Sequence, residues 1–312
     1  MNATVNVSIG IVTHNSSSLI ASCLENIQEL FGELYPIVIF DNNSKDETKT
    51  IVRTQFPQAQ IIESDLNYGF GFGVNKILEN ATSKYVLLIN PDVTLNKSSI
   101  RPLEEELENN PKTIVCAPLT LDSKGNPEFN VRRFPKLRTQ LFESLLGGNI
   151  AMRISQSELV VDTKNYSAMS KIDWIKGAIW MIRRNDFVKL GGMRNDFFLY
   201  SEETEFAWRA KAAGYQLSIA SESSATHIGG DSDTNPLLFS LLALNKIYMM
   251  KLTSKKLNAQ ILRVILVLGS LVRINKPASR IALTYLIKSY SNFENQRLDI
   301  IEKLNGTIAA NR

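Results

Sequence analysis

The sequence predicts an α/β protein with a mostly parallel central sheet flanked by helices, followed by a basic helical extension. Three observations predict it. The first half of the chain alternates short apolar runs with segments of helical spacing. Those runs are apolar at nearly every position, as strands are when helices cover both faces of a parallel sheet. Residues 237–293 carry nine Lys and Arg and no acid, among dense Leu, Ile, Val and Met.

The elements follow in order. "VNVSIGIVT" (5–13) is β-rich, and "SLIASCLENIQELF" (18–31) has helical spacing. "PIVIFD" (36–41) is an apolar run closed by an acid, and 45–56 reads as a helix. "AQIIES" (59–64) is a third strand, 73–81 a third helix, and "YVLLIN" (85–90) a fourth strand. Residues 99–110 add a helix with Pro111 just past its end. From 115 the chain reads as a strand, a turn and a return, and 130–170 as a polar, irregular loop. Order returns at 172–184, with a helix at 185–190 and a turn at Gly191-Gly192. A helix over 202–214 ends at glycine, and 216–221 is a further strand. A catalytic unit over 1–235 and a C-terminal unit over 236–312 are expected.

The composition excludes several classes. With 312 residues, 44% apolar and 21% charged, the chain is globular rather than disordered. Two cysteines, Cys23 and Cys116, make no disulfide framework and fit a reducing compartment. No secretory leader is read at the N-terminus, and no apolar run is long enough to span a bilayer. The net charge of +4 hides an asymmetry, because 237–312 hold 12 basic and 3 acidic residues, leaving the rest net negative.

Ligands of open parallel sheets bind beyond the carboxyl ends of the strands. Those ends carry Thr13-His14-Asn15, Asp41-Asn42-Asn43-Ser44, the loop "LNYGFGFGVN" (66–75), and Asn90-Pro91-Asp92. Asp41 reads either as a helix cap or Asx turn, or as a ligand-binding acid; Asp92 reads either as a turn residue or as a site acid. Gly69, Gly71 and Gly73 fit neither a dinucleotide fingerprint nor a P-loop. They expose backbone N–H groups to a ligand, or belong to a loop with two core phenylalanines. Glu202, Glu203 and Glu205 open a helix, where acids complement the macrodipole. Phe197, Phe198 and Tyr200 make their surroundings apolar, which raises proton affinity and suits a general base. His227, after a strand and before glycines, suits either a metal or a phosphate.

Asp41, "NYGFGFGVN", "LLINPDV", "WIKGAIWMIRR", "FFLYSEETEFAWRA" and "ATHIGG" occur in this order. Together they resemble the family 2 glycosyltransferases of GT-A fold. The Asn-Pro-Asp form is similar to the dTDP-rhamnose-dependent rhamnosyltransferases that build bacterial surface polysaccharides, O-antigen among them. The resemblance covers roughly 7–232. It implies that Asp92 holds a divalent cation, Mg2+ or Mn2+, against the diphosphate of a nucleotide sugar, with His227 near the metal and phosphates. It implies a donor site of Thr13, Asn15, Asp41, Asn43, Asn67, Gly69, Asn75, Asn90 and Asp92, and an acceptor side of Trp174, Gly177, Ala178 and Glu202. Glu203 matches the base that takes the acceptor hydroxyl's proton in a single inverting displacement. The chain departs from the pattern where Asn90 replaces the first acid of Asp-x-Asp. Glu202-Glu203-Thr204-Glu205 replaces Glu-Asp-x-Asp, each Glu adding a methylene.

The implied donor is dTDP-L-rhamnose and the implied acceptor a polyprenyl-diphosphate-linked saccharide such as N-acetylglucosamine. UDP-galactofuranose is an alternative donor, and a membrane-bound scaffold without activity an alternative role. In the tail, Lys255, Lys256, Arg263, Ser270 and Arg273 fall within about 100° on a helical wheel. Ile261, Val264, Ile265, Leu268, Leu271 and Val272 take the other side, Pro277 ends the helix, and a second runs to about Ser291. Such a helix reads as an anchor to anionic lipid or as a helical subdomain with a solvated basic face. Nucleic acid is not expected, for want of stacking aromatics. The anchor reading puts the protein peripherally on the cytoplasmic face of the plasma membrane.

Overall fold

The computed structural model describes residues 6–163, 166, 172–229, 235–288 and 293–310, with side chains as far as 306. Strands β1 (Val7–Thr13), β2 (Ile37–Asp41), β3 (Gln60–Glu63) and β4 (Tyr85–Ile89) alternate with helices α1 (Ser17–Phe31), α2 (Thr48–Gln55) and α3 (Phe70–Asn80). Then come β5 (Val93–Leu95), α4 (Arg101–Asn109), β6 (Thr113–Leu121), β7 (Val131–Arg132), α5 (Leu137–Leu146) and α6 (Gly148–Arg153). β8 (Trp174–Ile175), β9 (Ile179–Arg183), α7 (Arg184–Lys189), α8 (Glu202–Ala212) and β10 (Gln216–His227) complete the α/β part. The described part of the tail holds four helices: α9 (Pro236–Thr253), α10 (Lys256–Val272), α11 (Pro277–Leu286) and α12 (Phe293–Ala310).

The main sheet has eight strands in the order β3-β2-β1-β4-β9-β6-β10-β5. The first four are mutually parallel, as the apolar alternation requires. β9 runs antiparallel between β4 and β6, and β5 lies antiparallel on β10. Side chains on each strand alternate between two cores. Ile9, Ile11, Leu87 and Ile89 join α1 and α4 on one face. Val86, Leu88, Ile182 and Trp180 join α3 and α8 on the other. Register sets the functional edge, because Thr13 pairs Asp41 and Ile11 pairs Ile89. Residues 13–15, 41–44 and 90–92 therefore emerge at one end of the sheet.

Three expectations change. The segment read as an irregular loop holds β7, α5 and α6, while 164–165 and 167–171 lie outside the described residues. Helix α5 forms against α10, more than a hundred residues away, so its partner was invisible locally. Gly269 of α10 packs so closely that a Cβ there would lie 2.7 Å from Ser144 Cβ. Second, α3 begins at Phe70, not at residue 73, because its glycines serve packing. A Cβ on Gly73 would come within 2.8 Å of Val12, and one on Gly69 within 2.1 Å of the Phe198 carbonyl.

Third, the basic face of α10 is exposed at its start, at Lys255 and Lys256, but is drawn inward further along. Ser270 is buried. Arg263 Nε donates to the Leu286 carbonyl at 2.6 Å, and Arg273 donates to the carbonyls of Ser144 and Glu143. Each arginine meets carbonyls in the last turn of a neighbouring helix, where the macrodipole is negative. The tail also holds two helices, α9 and α12, not anticipated from its sequence; residues 289–292 lie outside the described set. The tail helices share a third apolar core with Phe197 and Phe198, the residues just before α8.

Candidate active site

The strand ends build the site from local turns. Asp41 is fully buried. Its Oδ2 accepts from Thr13 Oγ1 at 3.0 Å and its Oδ1 from the Ser44 amide at 2.9 Å. Its carboxylate thus closes an Asx-type turn, with Thr13 buried beside it. The groups this turn presents to solvent are Asn15 and Asn43, both at positive φ (51° and 61°). Lys45 ties them, its amide donating to Asn15 Oδ1 and its Nζ to Asn43 Oδ1.

Asn42, on the same turn, links Asp41 to the glycine loop: its Nδ2 donates to the Gly69 carbonyl and its Oδ1 accepts from the Tyr68 amide. The loop's own amides are used internally, Gly69 N–H on Asn67 Oδ1 and Phe70 N–H on the Phe198 carbonyl. Asn75 is also spent within the protein, bonded to both the amide and carbonyl of Met193 and to Asn195. It braces α3 against the segment leading to α8.

On the other side of β1, the Asn90 amide donates to the Ala178 carbonyl at 3.0 Å. Asp92 stands two residues on, its Oδ2 3.3 Å from His227 Nε2. The opposite ring nitrogen, Nδ1, lies 3.1 Å from Glu128 Oε2. Burial opposes charging this imidazole, but the two carboxylates outweigh it and raise its pKa to about 9. Burial likewise raises the Asp92 pKa, and His227, with a smaller contribution from Lys176, pulls it below the usual value. His227 thus stands between two acids, Nε2 toward Asp92 and Nδ1 toward Glu128. Among the described residues no group of three or more His, Cys, Asp or Glu side chains is arranged to hold a metal ion. One atom does fit a cation: Asp92 Oδ1 is buried and has no hydrogen-bond partner.

Glu202 and Glu203 close the rim. They follow a turn with Phe198, Tyr200 and Ser201 all at positive φ, a rare conformation for such residues and a frequent companion of functional sites. Glu202 is buried, with Oε2 unpartnered, and burial followed by the charge of Glu203 lifts its pKa well above the ordinary range. Glu203 is half-exposed and packs on Gly177, where an added Cβ would sit 2.7 Å from its Oε1. Burial raises its pKa too, opposed by backbone hydrogen bonding and by the Lys176 charge. Glu205 plays no part at the rim, since it is buried in a two-bond ion pair with Arg209.

Gly177 and Ala178 thus join the two halves, Ala178 touching Asn90 and Gly177 touching Glu203. Trp174 stands half-exposed on β8, its indole N–H donating to the Arg133 carbonyl and Arg132 lying over its ring. Asp41 ends β2 and Asp92 follows β4, on either side of β1, while Gly177-Ala178 runs between Asn90 and Glu203. Sequence reasoning missed Glu128 and Lys176, and placed Asn42 at a strand end without a role. Lys176 could have been noticed as a cation beside Gly177; Glu128 carries no local signal, being 99 residues from His227.

The mixed α/β sheet flanked by helices, with its acids gathered at the carboxyl ends of the strands, is a GT-A fold. The same fold occurs in the crystal structure of GalNAc-T7 with UDP, GalNAc and Mn2+ (TM-score 0.62, 13% identity, covering 96% of this chain and 55% of that one). The chain belongs to glycosyl transferase family 2, whose model matches residues 8–171, and it is a glycosyltransferase. It is 26% identical over 231 residues to rhamnosyltransferase WbbL of Escherichia coli K12, covering 71% of this chain and 83% of the relative. It is 23% identical over 190 residues to N-acetylglucosaminyl-diphospho-decaprenol L-rhamnosyltransferase of Mycobacterium tuberculosis, covering 57% of this chain and 62% of that relative. The family match ends before Glu203 and His227.

Proposed function

We propose that this glycosyltransferase moves L-rhamnose from dTDP-β-L-rhamnose to a polyprenyl-diphosphate-linked saccharide such as N-acetylglucosamine, inverting the anomeric centre. The observation that carries the reading is Glu203, a half-exposed carboxylate of raised pKa held against Gly177 on the rim shared with Asp92. Relatives named for rhamnosyl transfer, one of them to a lipid-diphosphate-linked N-acetylglucosamine, support the donor and acceptor.

Glu203 takes the proton of the acceptor hydroxyl as that oxygen bonds to the anomeric carbon. The bond from that carbon to the diphosphate oxygen breaks, and its electron pair leaves with the nucleoside diphosphate. A raised pKa keeps the carboxylate a competent base near neutral pH. Burial and the neighbouring Glu203 charge both disfavour a negative charge on Glu202. Asn15 and Asn43 offer amides to the nucleoside, and Asp41 holds their turn in shape. Asp92 Oδ1 would hold a magnesium or manganese ion, which when bound offsets charge developing on the leaving diphosphate. Trp174 offers a ring face to a sugar of the acceptor. A cytoplasmic donor and a lipid-borne acceptor meet at the cytoplasmic face of the membrane, where we place the reaction.

The test is Glu203→Gln with dTDP-rhamnose and a lipid-linked acceptor. Turnover should fall on the order of 10²-fold or more with donor binding intact. Undiminished turnover would remove Glu203 as the base. Transfer of galactofuranose but not rhamnose by the wild type would overturn the donor assignment, and donor binding without any transfer would leave a scaffold.

A further inference from the structure

Helix α10 is apolar on both sides. Its inner side, Ala259, Leu262 and Ile265, is buried against the neighbouring helices. Its outer side carries Leu257, Ile261, Val264, Leu268, Leu271 and Val272, each 39–62% exposed. At 100° per residue these six fall in one stripe about 100° wide running the length of the helix. A surface helix ordinarily turns polar residues outward, and contiguous exposed apolar patches mark interaction sites. A second exposed apolar set lies on the elements that Arg273 ties to α10 through the Glu143 and Ser144 carbonyls: Leu145 and Leu146 at the end of α5, Ile150 in α6 and Ile154 just past it. These four are 37–50% exposed.

Charge identifies what covers this face. Lys255 and Lys256 stand exposed at one end of the α10 stripe, with Lys276 and Arg280 at the other, and Arg138 and Arg153 flank α5 and α6. No acid occurs in 237–293. The one acid within 137–156, Glu143, turns its carboxylate to Ser157 and to the Glu158 amide. Arg263 and Arg273, on the opposite side of α10, are drawn onto helix carbonyls. An apolar stripe ringed by cations without acids suits the boundary between acyl chains and anionic headgroups. No helix among the described residues is long and apolar enough to cross a membrane, so the contact lies in the interface plane.

We propose that the protein docks on an anionic bilayer through a composite face, α10 together with α5–α6, so that part of the anchor belongs to the catalytic half of the chain. The placement follows from topology: α5 begins five residues after Arg132, which pairs with Trp174 across the small β7–β8 sheet. On the reading of a lipid-linked acceptor, this face brings the acceptor side of the rim to the membrane.

The experiment is flotation of the full chain with phosphatidylcholine vesicles, with and without phosphatidylglycerol, in the absence of donor and acceptor. Binding should need the anionic lipid and weaken with salt. Val264→Asp/Leu268→Asp should lower the bound fraction about tenfold or more, and Leu146→Asp/Ile150→Asp should lower it too. All four side chains are exposed, and unchanged circular dichroism and Tm verify the fold. Flotation indifferent to the α10 pair overturns the proposal, and indifference to the α5–α6 pair overturns the composite face. A wild type that is dimeric by light scattering, with a monomeric α10 variant, assigns the stripe to a second copy and also overturns it. Because no sugar is present, failure of the rhamnosyl assignment leaves the flotation result intact.

Discussion

Asn245, at the heart of the C-terminal helices, donates from Nδ2 to the carbonyl of Phe197 at 2.9 Å, inside the turn that delivers Glu203. The same amide reaches the carbonyls of Leu199 and Tyr200, while Arg297 Nε donates to its Oδ1 at 2.7 Å. The strained backbone before α8 is therefore held from outside by the tail. Asn245→Ala takes one donor from each of three carbonyls and the acceptor from the buried Arg297 Nε, at roughly 1–3 kcal/mol for any group left unsatisfied. Tm should fall by several degrees in a thermal melt. Steady-state kinetics should show kcat down about tenfold or more with little change in donor KM, since the asparagine touches no donor residue.

Gly177 leaves room for nothing but hydrogen beside Glu203. In Gly177→Ala the new methyl would meet Oε1 at 2.7 Å, so the side chain must swing away. A displacement of about 1 Å at a reacting group costs up to about 10²-fold in rate. The variant should keep its melting temperature within a few degrees and lose kcat by roughly 10–100-fold, read by initial-rate assays.

Glu202 and Glu203 predict a pH signature. Both folded pKa values lie above the unfolded ones, so the protonated forms favour folding. That stability is fully present below the ordinary Glu value, near pH 4.5, and is lost as pH rises through the folded values. Glu202→Gln removes the larger contribution. Its Tm should exceed that of the wild type by a few degrees at pH 8, the gap closing toward pH 4.5. The acidic limb of kcat, set by Glu203, should stay in place, because Glu202 is still neutral where Glu203 ionises.

Asp92 Oδ1 predicts the response to chelation. EDTA should stop transfer, and added Mg2+ or Mn2+ should restore it. In Asp92→Asn the loss should be at least about a hundredfold and no ion should restore it. Full activity in EDTA would remove the cation from the reaction.

The strands of the parallel half were legible because burial on both faces forces apolar residues at consecutive positions. Their carboxyl ends were legible because polar residues cluster there, which brought Asp41, Asp92 and the amides into view. The antiparallel insertion of β9 was not legible, since an apolar run carries no direction. Helix α5 was hidden because its partner lies in α10, and the tail arginines were read as facing lipid or solvent because nothing local says that a helix end waits for them.

The sequence by itself determined the layered α/β architecture, the common edge of Thr13, Asp41 and Asp92, and the basic, apolar character of the tail, because these follow from periodicity and composition along the chain. The tertiary structure alone decided that His227 sits between Asp92 and Glu128, that Asp41 faces inward to shape a turn, that Gly177 abuts Glu203, and that one side of α10 is left uncovered. Each of those depends on a contact between residues far apart in the chain, and such contacts leave no periodic trace in either partner.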